Sequence, residues 1–179
     1  MSKKILIITT SLRRGSNSDA LAEQFAKGAA QAGHSVETLS LRDKNLQFCR
    51  GCLACQSTGK CVIRDDVAPM LEQIRTADVL VFATPIYFYE MSGQMKVLLD
   101  RTDPLYPVEY SFRDIYLLAT AAEGEECAVD GAVNGLNGWI ACFEKARLAG
   151  VVRGVGADGP NTIQINPAMV QAYEMGKRA

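Results

Sequence analysis

"KILIITTSLRRGSNSDALA", residues 4–22, contains an apolar run, a loop rich in hydroxyl groups and the beginning of an amphipathic stretch. The centre of the run, Ile5–Ile8, is continuously apolar, which is typical of a strand buried on both faces of its sheet, and we predict a strand at Lys4–Thr9. Beyond the loop, apolar residues recur at helical spacing from Leu21 to Ala29 and predict a helix. A strand that leads directly into a helix is the repeating unit of a parallel sheet.

The same alternation continues along the chain. Further strands, separated by stretches with helical spacing, are predicted at Val36–Leu41, Val79–Ala83, Ile115–Thr120 and Val151–Val155. This order predicts an α/β fold, a doubly wound five-stranded parallel sheet with helices on both faces, in one domain over residues 1–179. Ligands of such sheets bind beyond the carboxyl ends of the strands, so the loops after the first, third and fourth strands form the candidate site.

Composition and charge exclude several classes of partner. Hydrophobic residues make up 48% of the 179 residues and the net charge is −1. Because the cations are scattered, we expect neither nucleic acid nor a membrane surface as a partner. The run Ile5–Ile8 is too short for a signal peptide, and no run is long enough to span a membrane. We expect a soluble, cytoplasmic protein, whose cysteines are then reduced, metal-bound or catalytic rather than paired in disulfides.

The loop after the first strand matches neither the dinucleotide fingerprint nor the P-loop pattern. Ser16–Asp19 reads as a capping box that opens the helix. The free N–H groups and partial positive charge of a helix N-terminus favour a phosphate. The side chains that would add donors or charge are Ser11, Arg13, Ser16, Asn17 and Ser18. The alternative interpretation is a solvated turn with a helix cap.

The loop after the third strand carries a consecutive apolar group, Ile86–Tyr89. Pro85 holds Thr84 extended, so the chain leaves the sheet without starting a helix at once. Aromatic residues in this position could cover a flat ring, or they could pack under the loop or form an oligomer contact. A phosphate site at one strand and a flat-ring site at the next describe a mononucleotide such as FMN.

These motifs together resemble the NAD(P)H-dependent FMN reductase family, and most closely its iron–sulfur flavoprotein subgroup. The resemblance is carried, in this order, by Ser11-x-Arg13-x-x-Ser16-Asn17-Ser18, a cysteine motif followed by Asp65-Asp66, Thr84-Pro85-Ile86-Tyr87, Lys96 and Asp100-Arg101. It implies a flavodoxin-like fold with strand order 2-1-3-4-5 and non-covalently bound FMN. It also implies hydride transfer from NAD(P)H to the flavin and electron transfer to a quinone, a flavin or another small acceptor.

The resemblance also implies which residues hold the cofactor. The phosphate would be held by the donors of the first loop, and the ring would be wrapped by Pro85, Ile86, Tyr87 and Phe88 and approached from the other side by Thr120 and Ala121. We expect no catalytic side chains, because the cofactor carries the chemistry. Members of the family are commonly dimers or tetramers, and an exposed Tyr87–Tyr89 patch would favour a homo-oligomer. The rival interpretation is an electron carrier that exchanges electrons with a ferredoxin-type partner.

Four cysteines, Cys49, Cys52, Cys55 and Cys61, follow the second strand with spacing Cys-x2-Cys-x2-Cys-x5-Cys. In iron–sulfur flavoproteins a similar motif ligates a [4Fe–4S] cluster, whereas other relatives show similar cysteines and bind no cluster. Zinc prefers two separated Cys-x2-Cys pairs. A cluster, zinc and metal-free thiols therefore all stay open. Two further expectations are that Cys142 is a core residue and that Lys96 and Arg101 are structural rather than ligands of a pyridine nucleotide.

Overall fold

The computed structural model describes residues 1–179. Six strands are present, β1 (Lys4–Thr9), β2 (Ser35–Ser40), β3 (Val79–Tyr87), β4 (Glu90–Met91), β5 (Asp114–Thr120) and β6 (Arg147–Gly154). Six α-helices alternate with them, α1 (Asn17–Gln31), α2 (Ala54–Thr58), α3 (Val67–Thr76), α4 (Gly93–Asp100), α5 (Asp130–Ile140) and α6 (Ala168–Lys177). No helix is both long and apolar enough to cross a membrane.

The main sheet is parallel and has the strand order β2-β1-β3-β5-β6. Because β4 is a short antiparallel partner of β3, this order is the predicted 2-1-3-4-5, and the predicted α/β fold is confirmed. The carboxyl ends of β1, β3 and β5 lie side by side, since Thr9 pairs with Ala83 and Pro85 pairs with Thr120. The loops chosen from the sequence therefore meet at one edge of the sheet.

Helices cover both faces of the sheet and create two cores. A cluster of 25 buried residues joins one face to α3, α4 and α5, and a cluster of 16 joins the other face to α1 and α6. The axes of α1 and α6 approach closely at Gly28 and Gly176, where an added Cβ would overlap backbone atoms of the opposite helix. Close packing at these two glycines fixes the position of α1, and with it the position of its N-terminus.

The structure corrects three expectations. β3 continues through Pro85 to Tyr87 instead of ending at Ala83, and β6 begins at Arg147, four residues before the predicted start. Pro85 is tolerated because β1 pairs with β3 only as far as Ala83, so that at Pro85 the strand has β5 as its one parallel neighbour and resembles an edge strand. Cys142 is exposed and lies beyond the end of α5, so its assignment to the core is wrong.

Candidate functional site

An open cleft of about 580 Å³ lies beyond the carboxyl ends of β1, β3 and β5. Eight of the eleven cofactor-binding residues predicted from the sequence line it, namely Ser11, Arg13, Ser16, Asn17, Pro85, Ile86, Tyr87 and Thr120. The loops after β5 and β6 add Ala122, Ala157 and Asp158, which sequence reasoning missed. A polar wall on the side of α1 thus faces a more apolar wall from the end of β3.

The loop between β1 and α1 offers several free donors to an anion. Ser16 caps α1, because its hydroxyl oxygen accepts a hydrogen bond of 3.1 Å from the backbone N–H of Asp19. The backbone N–H groups of Asn17 and Ser18 donate to no acceptor in the protein. The exposed Arg13 guanidinium forms neither an ion pair nor a side-chain hydrogen bond. A free cation and free N–H groups at a helix N-terminus match the chemistry of a phosphate dianion.

The side chain of Asn17 is used inside the protein. Its amide nitrogen donates to the carbonyl oxygens of Ala157 and Gly159 at 3.3 and 2.8 Å, and its oxygen accepts from the backbone N–H of Ile163. Asn17 therefore ties the start of α1 to the loop after β6, which carries Asp158 to the rim of the cleft. Its backbone N–H, rather than its amide, is the group left free for a ligand.

A buried network of three hydroxyls supports the floor between the two loops. The side chain of Ser92 lies 2.9 Å from the Thr10 hydroxyl and 3.2 Å from the Thr84 hydroxyl, and all three residues are inaccessible to solvent. Ser92 also caps α4 by accepting the backbone N–H of Met95. The network joins the end of β1 to the end of β3 and to α4. In the sequence, one hydroxyl residue stands at the end of each strand and one before α4, but only the fold shows that the three side chains meet.

The hairpin after β3 separates residues that face the cleft from residues that face solvent. Tyr87 lines the cleft, whereas Phe88 is fully exposed and does not. Phe88 and Tyr89 form the two-residue turn, with φ of 52° and 64°. Such positive φ values suit Asn and Gly and are strained in aromatic residues. Phe88 therefore does not line the cleft at which the other residues of this loop meet, and its contact with a ring stays a prediction.

Two other predicted residues are covered. Ser18 is fully buried and its hydroxyl pairs with that of Ser16 at 3.1 Å. Ala121 is also buried, and its backbone bonds to Gly154 at the end of β6 and to Ala157 in the loop that follows.

All four cysteines of the motif line a second, smaller cleft of about 320 Å³. Cys49 and Cys52 are exposed, Cys55 is buried and Cys61 is intermediate. The sulfurs share the cleft without surrounding a common point, since no three Cys, His, Asp or Glu side chains are arranged to hold a metal ion. Burial raises the pKa of the Cys55 thiol, and the nearby carboxylate of Asp103 raises it further.

A buried ion pair anchors the cysteine loop. The side chains of Arg101 and Asp65 are 1% and 0% exposed, and their closest atoms, Nη1 and Oδ2, are 2.6 Å apart. Arg101 also donates to the carbonyl oxygen of Gln47 and to the sulfur of Cys61, at 2.6 and 3.5 Å. The expected structural role of Arg101 is confirmed, although its partner is Asp65 rather than Asp100, which pairs with Lys96.

The two clefts share no lining residue and differ in their position along α4. The hydroxyl network under the first cleft includes Ser92, the N-cap of α4, whereas Asp100 and Arg101 line the cysteine cleft at the opposite end. A helix of eight residues is about 12 Å long. The cysteine cleft is therefore distinct from the first cleft, and part of its wall is the C-terminal end of α4.

Comparisons with known proteins identify the family of the chain. The family model described as NADPH-dependent FMN reductase matches residues 3–144. An iron–sulfur flavoprotein of Methanocaldococcus jannaschii is 38% identical over 102 residues, which are 57% of this chain and 53% of that protein. A Bacillus subtilis protein named as an NAD(P)H-dependent FMN-containing oxidoreductase, YwqN, is 31% identical over 128 residues, 67% of each chain.

Solved structures show the same fold. An NAD(P)H:quinone oxidoreductase from Methanothermobacter marburgensis superposes with a TM-score of 0.77, covering 99% of this chain and 96% of that one at 19% identity. An identity this low establishes the fold alone. The chain spans about half the length of the first curated relatives that it matches, 53% in one case and 46% in another.

Proposed function

The chain belongs to the NADPH-dependent FMN reductase family, and we propose that it is an oxidoreductase that binds FMN in the cleft beyond β1, β3 and β5. The observation that carries this proposal is the convergence of eight of the eleven predicted residues on one cleft. Bound FMN would supply the chemistry, accepting a hydride from NAD(P)H and passing electrons to a small acceptor such as a quinone or a free flavin.

The first-strand loop would hold the phosphate. Its donors are the free backbone N–H group of Asn17, the hydroxyls of Ser11 and Ser16, and the unpaired guanidinium of Arg13. Charge-assisted hydrogen bonds to a phosphate are about twice as strong as neutral ones, so Arg13 would contribute most among the side chains. The side chain of Asn17 would support FMN binding indirectly, because it holds the loop after β6 at the rim of the cleft.

The end of β3 would hold the flat ring. One wall of the cleft is formed by Pro85, Ile86 and Tyr87, at the end of β3. This wall is rigid because β3 pairs with β5 there, with Pro85 opposite Thr120. Apolar contact with such a wall favours a flat aromatic ligand and excludes water from one of its faces.

The test is anaerobic reduction of the FMN-loaded protein. NADPH or NADH should bleach the absorbance of the oxidised flavin, and a small quinone added afterwards should restore it. If neither nucleotide bleaches the flavin while a reduced ferredoxin does, the protein is an electron carrier and the reductase proposal is wrong.

The cysteine cleft favours a second candidate function, that of an iron–sulfur flavoprotein exchanging electrons with a ferredoxin-type partner. Four thiols that line one cleft have the donor chemistry of a [4Fe–4S] site, and Arg101 donates to the sulfur of Cys61. A bound cluster would supply single-electron transfer. The loop would have to close around it, because the sulfurs do not surround a common point as they stand.

Iron and acid-labile sulfide measured after anaerobic purification decide this second candidate. A cubane cluster gives roughly four irons per chain, and Cys61→Ser should reduce that content. Cys127→Ser is the matched control, because Cys127 is an exposed cysteine outside the cleft. An iron content near zero in the unmodified protein would show that the four cysteines are metal-free thiols, and the iron–sulfur function would then be rejected.

A further inference from the structure

Arg42 makes an unusual set of contacts with the loop between β1 and α1. It lies two residues beyond the end of β2, and its side chain is 22% exposed. Its Nη2 donates to the carbonyl oxygens of Ser11 and Arg13 at 3.3 and 2.7 Å, and its Nε donates to that of Leu12 at 3.3 Å. One guanidinium thus holds three consecutive carbonyl groups of the loop.

These contacts determine which way the loop presents its peptide groups. In a planar trans peptide the C=O and the following N–H point in opposite directions. Because the carbonyls of Ser11, Leu12 and Arg13 point toward Arg42, the N–H groups that follow them point away from it, and the N–H of Arg13 donates to the Ser11 hydroxyl at 3.2 Å. Arg42 does not line the cleft, whereas Ser11 and Arg13 do. Arg42 therefore binds the loop on the side that faces away from the cleft.

Arg42 also neutralises a carboxylate close to the helix N-terminus. Its Nη2 lies 2.8 Å from Oδ2 of Asp19, in the first turn of α1. The capping box predicted from the sequence is therefore only half formed, since the Asp19 side chain binds Arg42 instead of reaching back to Ser16. A free carboxylate there would repel an anion at the same N-terminus.

We propose that Arg42 is a positioning residue for the phosphate of the bound nucleotide, acting through the loop backbone and Asp19 without touching the phosphate. This inference rests on the proposed binding of FMN in the cleft. It predicts that Arg42 favours a flavin that carries a phosphate over the same flavin without one. A purely structural role would lower the affinity for both flavins equally.

The experiment compares FMN with riboflavin, which lacks the phosphate, by titrating flavin fluorescence with the flavin-free protein. Arg42→Ala should weaken FMN by about 10- to 100-fold and riboflavin by less than about 3-fold. Arg14→Ala is the matched control, because Arg14 is an exposed arginine of the same loop whose side chain forms no hydrogen bond or ion pair and does not line the cleft. It should leave the ratio of the two affinities within about 2-fold of the starting value.

Arg42→Lys keeps the result decisive if Arg42→Ala does not fold, which circular dichroism would show. A single ammonium cannot reproduce the fork that spans these acceptors, so the ratio should fall by at least about 3-fold. Equal losses of FMN and riboflavin, or an unchanged ratio in both Arg42 variants, would refute the inference. Unmodified protein that binds no FMN would refute the proposed function itself, and the inference would fall with it.

Discussion

Replacing Arg101 by Met should lower the free energy of unfolding by about 3–5 kcal/mol, because it leaves the buried carboxylate of Asp65 without a counter-charge. The carboxylate accepts hydrogen bonds from Arg101 at 2.6 and 3.1 Å and from the backbone N–H groups of Gln47 and Val67. Met removes the two charged donors and leaves the two backbone donors. At about 2–4 °C per kcal/mol for a chain of this size, Tm should fall by roughly 6–20 °C.

Guanidinium chloride unfolding followed by tryptophan fluorescence measures this loss. The only tryptophan, Trp139, donates to the hydroxyl of Thr102, the residue after Arg101. Lys96→Met is the matched control on the same helix, because its pair with Asp100 is 58% and 47% exposed and should contribute less than about 1 kcal/mol. A loss for Arg101→Met within about 1 kcal/mol of the control would refute the reasoning.

The same ion pair has a pH signature. Burial alone would raise the pKa of Asp65, but the hydrogen bonds from Arg101, Gln47 and Val67 outweigh it and hold the pKa below its usual range. A carboxylate whose folded pKa is lowered stabilises the protein above its unfolded pKa, about 4, and this stabilisation disappears as the pH falls through the folded value. The unmodified protein should therefore lose stability below about pH 4 more steeply than Asp65→Asn.

Three further predictions concern packing, the hydroxyl network and assembly. Gly28→Ala should cost about 1–3 kcal/mol in thermal unfolding, because its Cβ would overlap a carbonyl of α6, whereas Gly138→Ala, in open space on α5, should be neutral or stabilising. Ser92→Ala should cost about 1–2 kcal/mol in urea unfolding, because it removes the N-cap of α4 and one of the hydrogen-bond partners of each buried threonine hydroxyl. Sedimentation should show that Phe88→Asp turns a homo-oligomer into a monomer, whereas Val170→Asp, an exposed apolar site on α6, should not; an unmodified protein that is already monomeric would contradict this.

The parallel sheet could be predicted because its strands carry a local signal. Ile5–Ile8 and Val79–Ala83 are continuous apolar runs, and each is almost completely buried between two helical layers. The end of β3 could not be predicted in the same way. Pro85 usually marks the end of a strand, and the turn at Phe88–Tyr89 lacks the Asn or Gly that normally identifies a two-residue hairpin.

The candidate site was predictable where its residues are adjacent in sequence and missed where they are not. Ser11, Arg13 and Ser16 belong to one loop after a predicted strand, so their position alone places them at the edge of the sheet where the cleft lies. Arg42 reaches that loop from the end of β2, and Arg101 reaches Asp65 across 36 positions. Such long-range pairs depend on how the strands are ordered. In the sequence, no local pattern distinguishes an arginine that forms such a pair from an arginine that is exposed to solvent.

Flavin content after gel filtration tests the central claim most directly. Purified protein is incubated with FMN, passed through a desalting column, and its flavin absorbance is compared with the protein concentration. The proposed cofactor site predicts about one FMN per chain, and Arg13→Ala should retain less, because it removes the charged phosphate donor. Folded protein that retains no FMN would contradict the assignment of this cleft as a flavin site.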